Sequence, residues 1–545
     1  MASRHLTHAQ PPNHGPRRRP CKGLENNPLD PCRRRGCDRR LLHPRRRLVL
    51  GSHHGAGILH DRSGIRHDGF ERKLQFGEPI FVFGFRPPSF FYARIIVCCG
   101  AHRCIRWILT RTNDMIDERY MNPGAETTSE AMRSGQPRLL GRPAATTLGD
   151  HLARYGTLPL SKAASLVAEV RASGLRGRGG AGFPTAVKLE SVAANSRRQA
   201  PVVVGNATEG EPASVKDKVL LRSAPHLVLD GLISAGVALG AGKAILCIER
   251  RDTQSAQSAR NAIAERSRWD PIGVEIALIP PRYVAGEETA LVSWLNNGDA
   301  RPTFVPPRPS ERGVMGLPTL VDNVETLANI ALIARHGAAA YRLAGTYDDP
   351  GTALITVRGA VSQPGVYERE FGVPLASLLG DAGLQAATGV LFGGYFGTWV
   401  TPHEAEQAAF SRESLRGFGA SPGCGLVAVM PAEQCPLQEV SAVLAWLAAN
   451  SAGQCGPCAN GLPAMAGAFA GLEAGDPNGR SANLLDRWST MIAGRGACKL
   501  PDGAIQFVRS ATRVFADHIE RHRRVGPCRA NLSQVLPTPP LGAWR

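Results

Sequence analysis

The sequence predicts an α/β protein with a smaller β-rich unit and a helical C-terminal domain. Three observations carry that fold class. Between residues 200 and 280, short apolar runs rich in β-branched residues alternate with helical periodicity. Residues 353–370 show strand alternation broken by a Pro-Gly turn. Residues 437–450 and 480–522 have helical periodicity and few β-branched runs.

Taken in order, residues 160–175 read as an amphipathic helix with Leu160, Ala163, Ala164, Val167 and Val170 on one face. It runs into GLRGRGGAGFPTAVK (174–188). APVVVGNATEGEP (200–212) is a short buried strand ending in a polar turn, a strand edge of the kind where ligands sit. HLVLDGLISAGVALGAG (226–242) is helical, and AILCIE (244–249) and GVEIALIP (273–280) are strands. The chain divides into a basic, disordered extension (1–130), an α/β domain (131–347), a β-rich unit (348–430), a helical domain (431–530) and a Pro-rich, loose tail (531–545). No internal repeat is visible.

Charge is distributed unevenly. The net charge is +18, but residues 1–120 hold 23 Lys+Arg against 10 Asp+Glu, leaving 41 against 36 for the rest. The body is therefore not a basic nucleic-acid binder. The first 120 residues also carry nine of the 15 histidines and six of the 13 cysteines, without sustained periodicity. No signal peptide is recognisable there. A start assigned too far upstream is the simplest account, with Met115, Met121 or Met132 as true starts. No run of eighteen uncharged apolar residues occurs, so no membrane span is expected. Seven cysteines follow residue 120, an odd number that argues against a disulfide scaffold and for a reducing cytoplasm.

The glycine loop is the strongest chemical signal. Five glycines with Arg176, Arg178 and Lys188 make an anion cradle, and Pro184 is placed to start a helix behind it. The loop has neither the G-K-[ST] of a P-loop nor the G-x-G-x-x-G of a dinucleotide turn. Three further segments follow: NATEGEPASVKDK (206–218), with Glu209 and Glu211; YVAGEETALVSWL (283–295), with Glu287 and Glu288 opening a helix; and LPTLVDNVETLANI (317–330), with Asp322 and Asn323 before a helix. Taken singly, the paired acids read as helix-dipole partners and the Asp-Asn pair as a cap. Their order after the glycine loop gives them weight. SAGQCGPCANG (451–461) supplies Cys455 and Cys458, and GRGACKLPDG supplies Cys498. A Cys-x2-Cys pair opening a helix suits a metal or cluster. Zinc competes with iron–sulfur here, because His518 and His522 lie one helical turn apart. Their distance from Cys458 is far outside finger spacing, so both histidines read as surface residues.

These segments together resemble the NADH-binding flavoprotein subunit of respiratory complex I and its relatives in NAD-linked hydrogenases and formate dehydrogenases, over about residues 160–525. The resemblance implies a Rossmann-like FMN domain, a ubiquitin-like β-grasp domain and a helical bundle holding a [4Fe-4S] cluster. It implies that Gly177, Arg178, Gly179, Gly180, Ala181, Gly182 and Phe183 wrap the FMN phosphate and nicotinamide side, with Lys188 at the flavin. Asn206, Thr208, Glu287, Asp322 and Asn323 match positions around the flavin, Thr208 standing where the family has Asp. Glu211 and Glu288 are the implied catalytic acids.

The departures from the family pattern are specific. Ala452 stands at the first cluster cysteine, leaving Cys455, Cys458 and Cys498. Three outcomes stay open: a non-cysteine or external fourth ligand, a three-iron cluster, or no cluster. Cys435 is about 25 Å away if one helix intervenes, and Cys528 stays open as a ligand. Ser191 and Arg308 replace family phenylalanines that stack on adenine, and Ala186 replaces a glycine. The implied function is an FMN-dependent NAD(P)H dehydrogenase. It would pass electrons through the cluster to a ferredoxin-like or thioredoxin-like iron–sulfur partner subunit, in the cytoplasm, peripheral to a membrane complex. The alternative is an electron-transfer adaptor that has lost NADH oxidation.

Overall fold

A computed structural model describes residues 137–141, 143–531 and 533–545, together with two short strands, β1 (Gly84–Phe85) and β2 (Tyr92–Ala93), which pair antiparallel. Apart from those two strands, the reading of residues 1–130 lies outside the described residues. The described residues from 137 onward hold three domains.

The first domain begins with α1 (Leu148–Tyr155), α2 (Leu166–Ser173) and α3 (Thr185–Asn195). The amphipathic segment expected at 160–175 divides: residues 160–165 form a 3-10 turn and only the rest is α-helix. Four parallel strands come next, β3 (Val202–Ala207), β4 (Lys243–Glu249), β5 (Val274–Ile279) and β6 (Thr319–Asn323), in the order β5-β4-β3-β6. Connecting them are α4 (Lys216–Ser223), α5 (Pro225–Leu239), α6 (Thr253–Arg266) and α7 (Glu288–Asn297), and α8 (Val324–Tyr341) follows β6.

The sheet is covered on both faces, which explains its continuous apolar strands. Val203, Leu246 and Leu320 face α5 and α8, while Val202, Val204, Ile245, Cys247 and Val321 face the opposite layer with Leu291 and Val314. Each such buried side chain contributes about 1.5–3 kcal/mol. Helices α5 and α8 cross closely because Gly231 lacks a side chain; a Cβ there would lie 1.8 Å from the Leu327 carbonyl oxygen.

The second domain is a five-stranded mixed sheet, β7 (Thr352–Gly359), β8 (Gly365–Glu370), β9 (Ala387–Phe392), β10 (Thr398–Val400) and β11 (Leu426–Pro431), in the order β10-β9-β11-β7-β8. The expected Pro-Gly hairpin is β7–β8. Short helices α9 (Leu375–Asp381), α10 (Pro402–Gln407) and α11 (Arg412–Arg416) complete it, and its core runs through Ile355, Phe392 and Val427.

The third is helical: α12 (Pro436–Ala449), α13 (Leu462–Glu473), α14 (Arg480–Ile492), α15 (Leu500–Val514) and α16 (Ala516–Val525). The tail departs from the expectation of looseness. Leu536 and Val535 are buried, and their backbone N–H groups donate to Glu439 at 3.0 and 3.3 Å. Tyr395 donates to the Pro537 carbonyl (2.5 Å) and Trp446 to that of Pro539 (2.7 Å). Proline content made the tail look unstructured, but its carbonyls and apolar side chains find partners on the folded body. No described helix is long and apolar enough to cross a membrane.

Candidate functional site

The order β5-β4-β3-β6 puts a topological switch between β3 and β6, where the crossovers leave in opposite directions and a crevice opens at the strands' C-terminal ends. The register pairs Asn206 with Asn323 at that point. Helix α3 begins beside it at Pro184, with no side-chain cap on its N-terminus.

The glycine loop is pinned at both ends. Gly177 N–H donates to the Phe183 carbonyl (2.8 Å), and Thr185 N–H to that of Leu175 (3.0 Å). Residues 178–182 bulge between these ties. Gly180 has φ of 121°, and a Cβ there would meet nothing within 4 Å. A Cβ on Gly179 would lie 3.3 Å from Asn323 Cβ, so the loop passes close over the switch point.

Arg178 corrects the expectation that its charge serves an anion. Its backbone N–H donates to Thr326 Oγ1 (2.9 Å) and its buried guanidinium to Tyr341 (3.1 Å) and the Pro350 carbonyl (3.3 Å). The guanidinium also stacks on Phe371 at 4.3 Å. It secures the loop to the second domain.

Lys188, one helical turn into α3, donates to the Val321 carbonyl (2.9 Å) and Glu288 (3.2 Å), with Asp322 at 3.8 Å. Burial opposes its charge, but Asp322 and Glu288 more than offset that and raise its pKa. Asp322 is buried, with Oδ2 unpartnered, and burial lifts its carboxyl to about 6 despite Lys188. Asn323 caps α8 through Glu325 N–H (3.0 Å) and donates to Asp217 (2.6 Å).

Asn206 stitches β3 to the turn at 283–286. Its Nδ2 donates to the Gly286 carbonyl (2.8 Å), while its Oδ1 accepts from Thr208 Oγ1 (2.7 Å) and N–H (3.2 Å). Glu287 turns inward and caps α7, accepting from Thr289 N–H (3.0 Å) and Ala290 N–H (3.1 Å). Only Glu288 of the acidic pair reaches Lys188. Glu209 likewise caps α4, accepting from Ser214 Oγ (2.7 Å) and Asp217 N–H (3.1 Å).

Glu211 reaches the second domain instead. Its Oε2 accepts from Tyr395 N–H (2.8 Å) and Tyr283 OH (3.2 Å), while Oε1 is buried without a partner. Burial raises its carboxyl to about 7. The adjacent Cys424 thiol is pushed up by burial and by Glu211. Tyr283, Tyr395 and Cys424 gave no sequence signal, because their meeting depends on domain packing.

The unpartnered buried Asp322 Oδ2, an open glycine loop and an uncapped helix N-terminus at one switch point fit a flavin mononucleotide. The loop and helix end suit its phosphate, and the polar groups at Asn206, Thr208, Asp322 and Asn323 suit its ring.

Cys455, Cys458 and Cys498 line one pocket with Val284, Pro302, Ala452 and Leu500. Burial pushes the Cys458 thiol up to about 12. Among the described residues, the only set of three or more His, Cys, Asp or Glu donor atoms all within 4.8 Å of one another lies elsewhere. The three thiols line one common pocket, which suits a cluster held by several thiolates. Ala452, at the position of the first family cysteine, also lines this pocket, so these positions offer three thiolates.

The other set overturns one sequence reading. His518 and His522 are not merely surface residues: His522 is 1% exposed, and both meet Cys435 and Cys528. The signal available was the spacing His-x3-His-x5-Cys. It was hidden because Cys435 lies far upstream.

Known proteins match this arrangement. The Nuo51 FMN-binding domain matches residues 170–332, and the iron–sulfur binding region of NADH-ubiquinone oxidoreductase F matches residues 438–522. An F subunit of the NADH-quinone oxidoreductase of Rhizobium meliloti (strain 1021) is 31% identical over 378 residues, 66% of this chain and 89% of the relative. The chain belongs to the family of NADH-quinone oxidoreductase F subunits. The F subunit of Escherichia coli (strain K12) is 30% identical over 65% of this chain and 83% of its own. Among solved structures, an NAD+-reducing [NiFe]-hydrogenase in the H2-reduced state is 32% identical with a TM-score of 0.61. That match covers 67% of this chain and spans 63% of the hydrogenase chain. The switch-point crevice falls inside the FMN-binding match, and Cys455, Cys458 and Cys498 fall inside the iron–sulfur match.

Proposed function

We propose that this F-subunit homologue takes electrons from a nicotinamide dinucleotide at the switch-point crevice and delivers them through the Cys455, Cys458 and Cys498 pocket to a protein partner. One observation carries the reading. The turn Tyr283–Gly286 touches both places: Gly286 accepts from Asn206 in the crevice, while Val284 lines the cysteine pocket. Asn450 holds the turn against α12 by accepting from Tyr283 N–H (3.2 Å).

When bound, FMN supplies an acceptor for a hydride and a donor of single electrons. The chain's own groups position and insulate that chemistry. The glycine loop and α3 hold the phosphate end. Lys188, fixed by Asp322 and Glu288, keeps a positive charge beside the ring. Glu211, with its pKa near 7, holds or releases a proton at Oε1 in a wall closed by Tyr283 and Tyr395. The partner proposed is a ferredoxin-like or thioredoxin-like iron–sulfur subunit, because a cluster fed by a flavin passes one electron at a time.

Anaerobic stopped-flow on the full chain tests this. Flavin absorbance should bleach on mixing with NADH or NADPH, and a reduced-cluster EPR signal should follow. A flavin-loaded chain that neither dinucleotide bleaches sinks the reading. It would leave the adaptor role, which Ser191 favours: its hydroxyl is bonded to Ser310 (2.9 Å) where a stacking ring was expected.

A further inference from the structure

We propose that Cys435, His518, His522 and Cys528 bind one zinc ion in a closed tetrahedral site, separate from the cysteines of the iron–sulfur region. Cys435 precedes the first residue of α12, both histidines lie on α16 one turn apart, and Cys528 follows α16. Their four donor atoms all fall within 4.8 Å of one another. Cys435 Sγ is 3.5 Å from His522 Nε2, and Cys528 Sγ is 3.3 Å from His518 Nε2. A tetrahedral zinc with Zn–S of about 2.3 Å and Zn–N of about 2.0 Å has S···N edges of roughly 3.5 Å. The side chains already stand at the corners such an ion requires.

The donor chemistry narrows the occupant. Two thiolates and two imidazoles, with no carboxylate, suit a borderline-soft ion without geometric demands, and two thiolates neutralise its charge where Cys435 and His522 are buried. The compact spread of donors fits a single ion and leaves no room for a cluster.

Supporting contacts orient His522 and Cys435, as metal sites require. His522 Nδ1 lies 2.6 Å from the Glu473 carbonyl, which places its proton there and leaves the Nε2 lone pair facing the sulfurs. The Cys528 N–H donates to the same Nε2 at 3.2 Å, a contact that the ion would replace. Asn531 holds Cys435 from both sides, accepting from its N–H (2.8 Å) and donating to its carbonyl (3.0 Å). Gln438 accepts from Asn531 N–H (2.8 Å) and donates to the Arg529 carbonyl (3.0 Å). Nothing in the electron path uses these residues. Helix α12 separates Cys435 by about 20 Å from Asn450, which holds the turn whose Val284 lines the cysteine pocket. The ion would join the start of α12, the end of α16 and the root of the tail.

Zinc and iron counted in the purified full chain, with an X-ray absorption spectrum at the zinc edge, test the assignment. The expected result is one zinc per chain with a shell of two sulfurs and two nitrogens. His518→Ala with Cys528→Ser should lose that zinc and keep the iron and flavin. A chain without zinc overturns the proposal, as does a sulfur-only shell, which would place zinc at Cys455, Cys458 and Cys498. A disulfide between Cys435 and Cys528 in protein purified under reducing conditions overturns it as well. If the double variant fails to fold, the wild-type shell composition alone decides.

Discussion

At the end of β6, Asp322 is buried with one oxygen near Lys188 and the other without a partner. Burial moves its carboxyl from an ordinary 3.8 up to about 6. A carboxyl raised on folding stabilises the protonated fold, so wild-type stability falls as pH rises from about 4 through 6. Asp322→Asn has no such term. The variant should gain on the order of 1–3 kcal/mol over wild type at pH 8 and nothing at pH 4. Chemical denaturation at both pH values checks this; equal stabilities at pH 8 would show that Lys188 fully compensates the charge. Glu325, by contrast with Asp322, has partners for both carboxylate oxygens. It sits 2.8 Å from buried Lys216, near Arg178 at 3.9 Å, and accepts from Leu354 N–H at 3.0 Å. Glu325→Ala should cost about 1–3 kcal/mol, because it removes one of the two carboxylates at buried Lys216, whose ion pair with Asp217 at 2.7 Å remains, and strands the buried Leu354 amide. A loss under about 1 kcal/mol would contradict this.

Among elements, the glycine loop carries the ligand argument. Gly180 has φ of 121° and open space where a Cβ would go. Gly180→Ala should strain the backbone by about 1–2 kcal/mol and put a methyl into the phosphate cradle. Flavin per chain should fall severalfold while the far-ultraviolet circular dichroism holds; full flavin loading would move the phosphate elsewhere. The loop was readable from sequence because composition and position both mark it. The strands β3 to β5 and helix α5 were equally legible, since a parallel sheet buried on both faces writes itself as apolar runs. Arg178 and Glu287 were not legible in detail. A loop arginine and a first-turn glutamate each have a ligand role and a packing role with the same sequence, and only the neighbours Thr326, Tyr341 and Ala290 decide between them. The four-donor set was hidden for a related reason: Cys435 meets His522 only because α12 and α16 pack side by side.

Across the whole molecule, the domains are held together by segments with little regular structure. The turn Tyr283–Gly286 joins the crevice to the cysteine pocket, and the tail runs from Cys528 back across α12 toward the α/β domain. Trp544 ends that path: its carbonyl accepts from Ala300 N–H (3.1 Å), and its ring lies 4.6 Å from the Arg282 guanidinium. Leu536 and Val535 are buried midway, and Glu439 relies on their N–H groups. A chain ending at residue 530 loses those two apolar side chains and leaves a buried carboxylate short of donors. It should be destabilised by on the order of 5 kcal/mol. Hydrogen exchange should show the loss first in α12 and the turn at 283–286, with α5 unchanged, because the strap touches the former and not the core of the parallel sheet. Electron transfer from flavin to cluster should slow while flavin content stays constant, since the turn between the two pockets loses its backing. A truncated chain with wild-type exchange in α12 would show that the bundle stands without its strap.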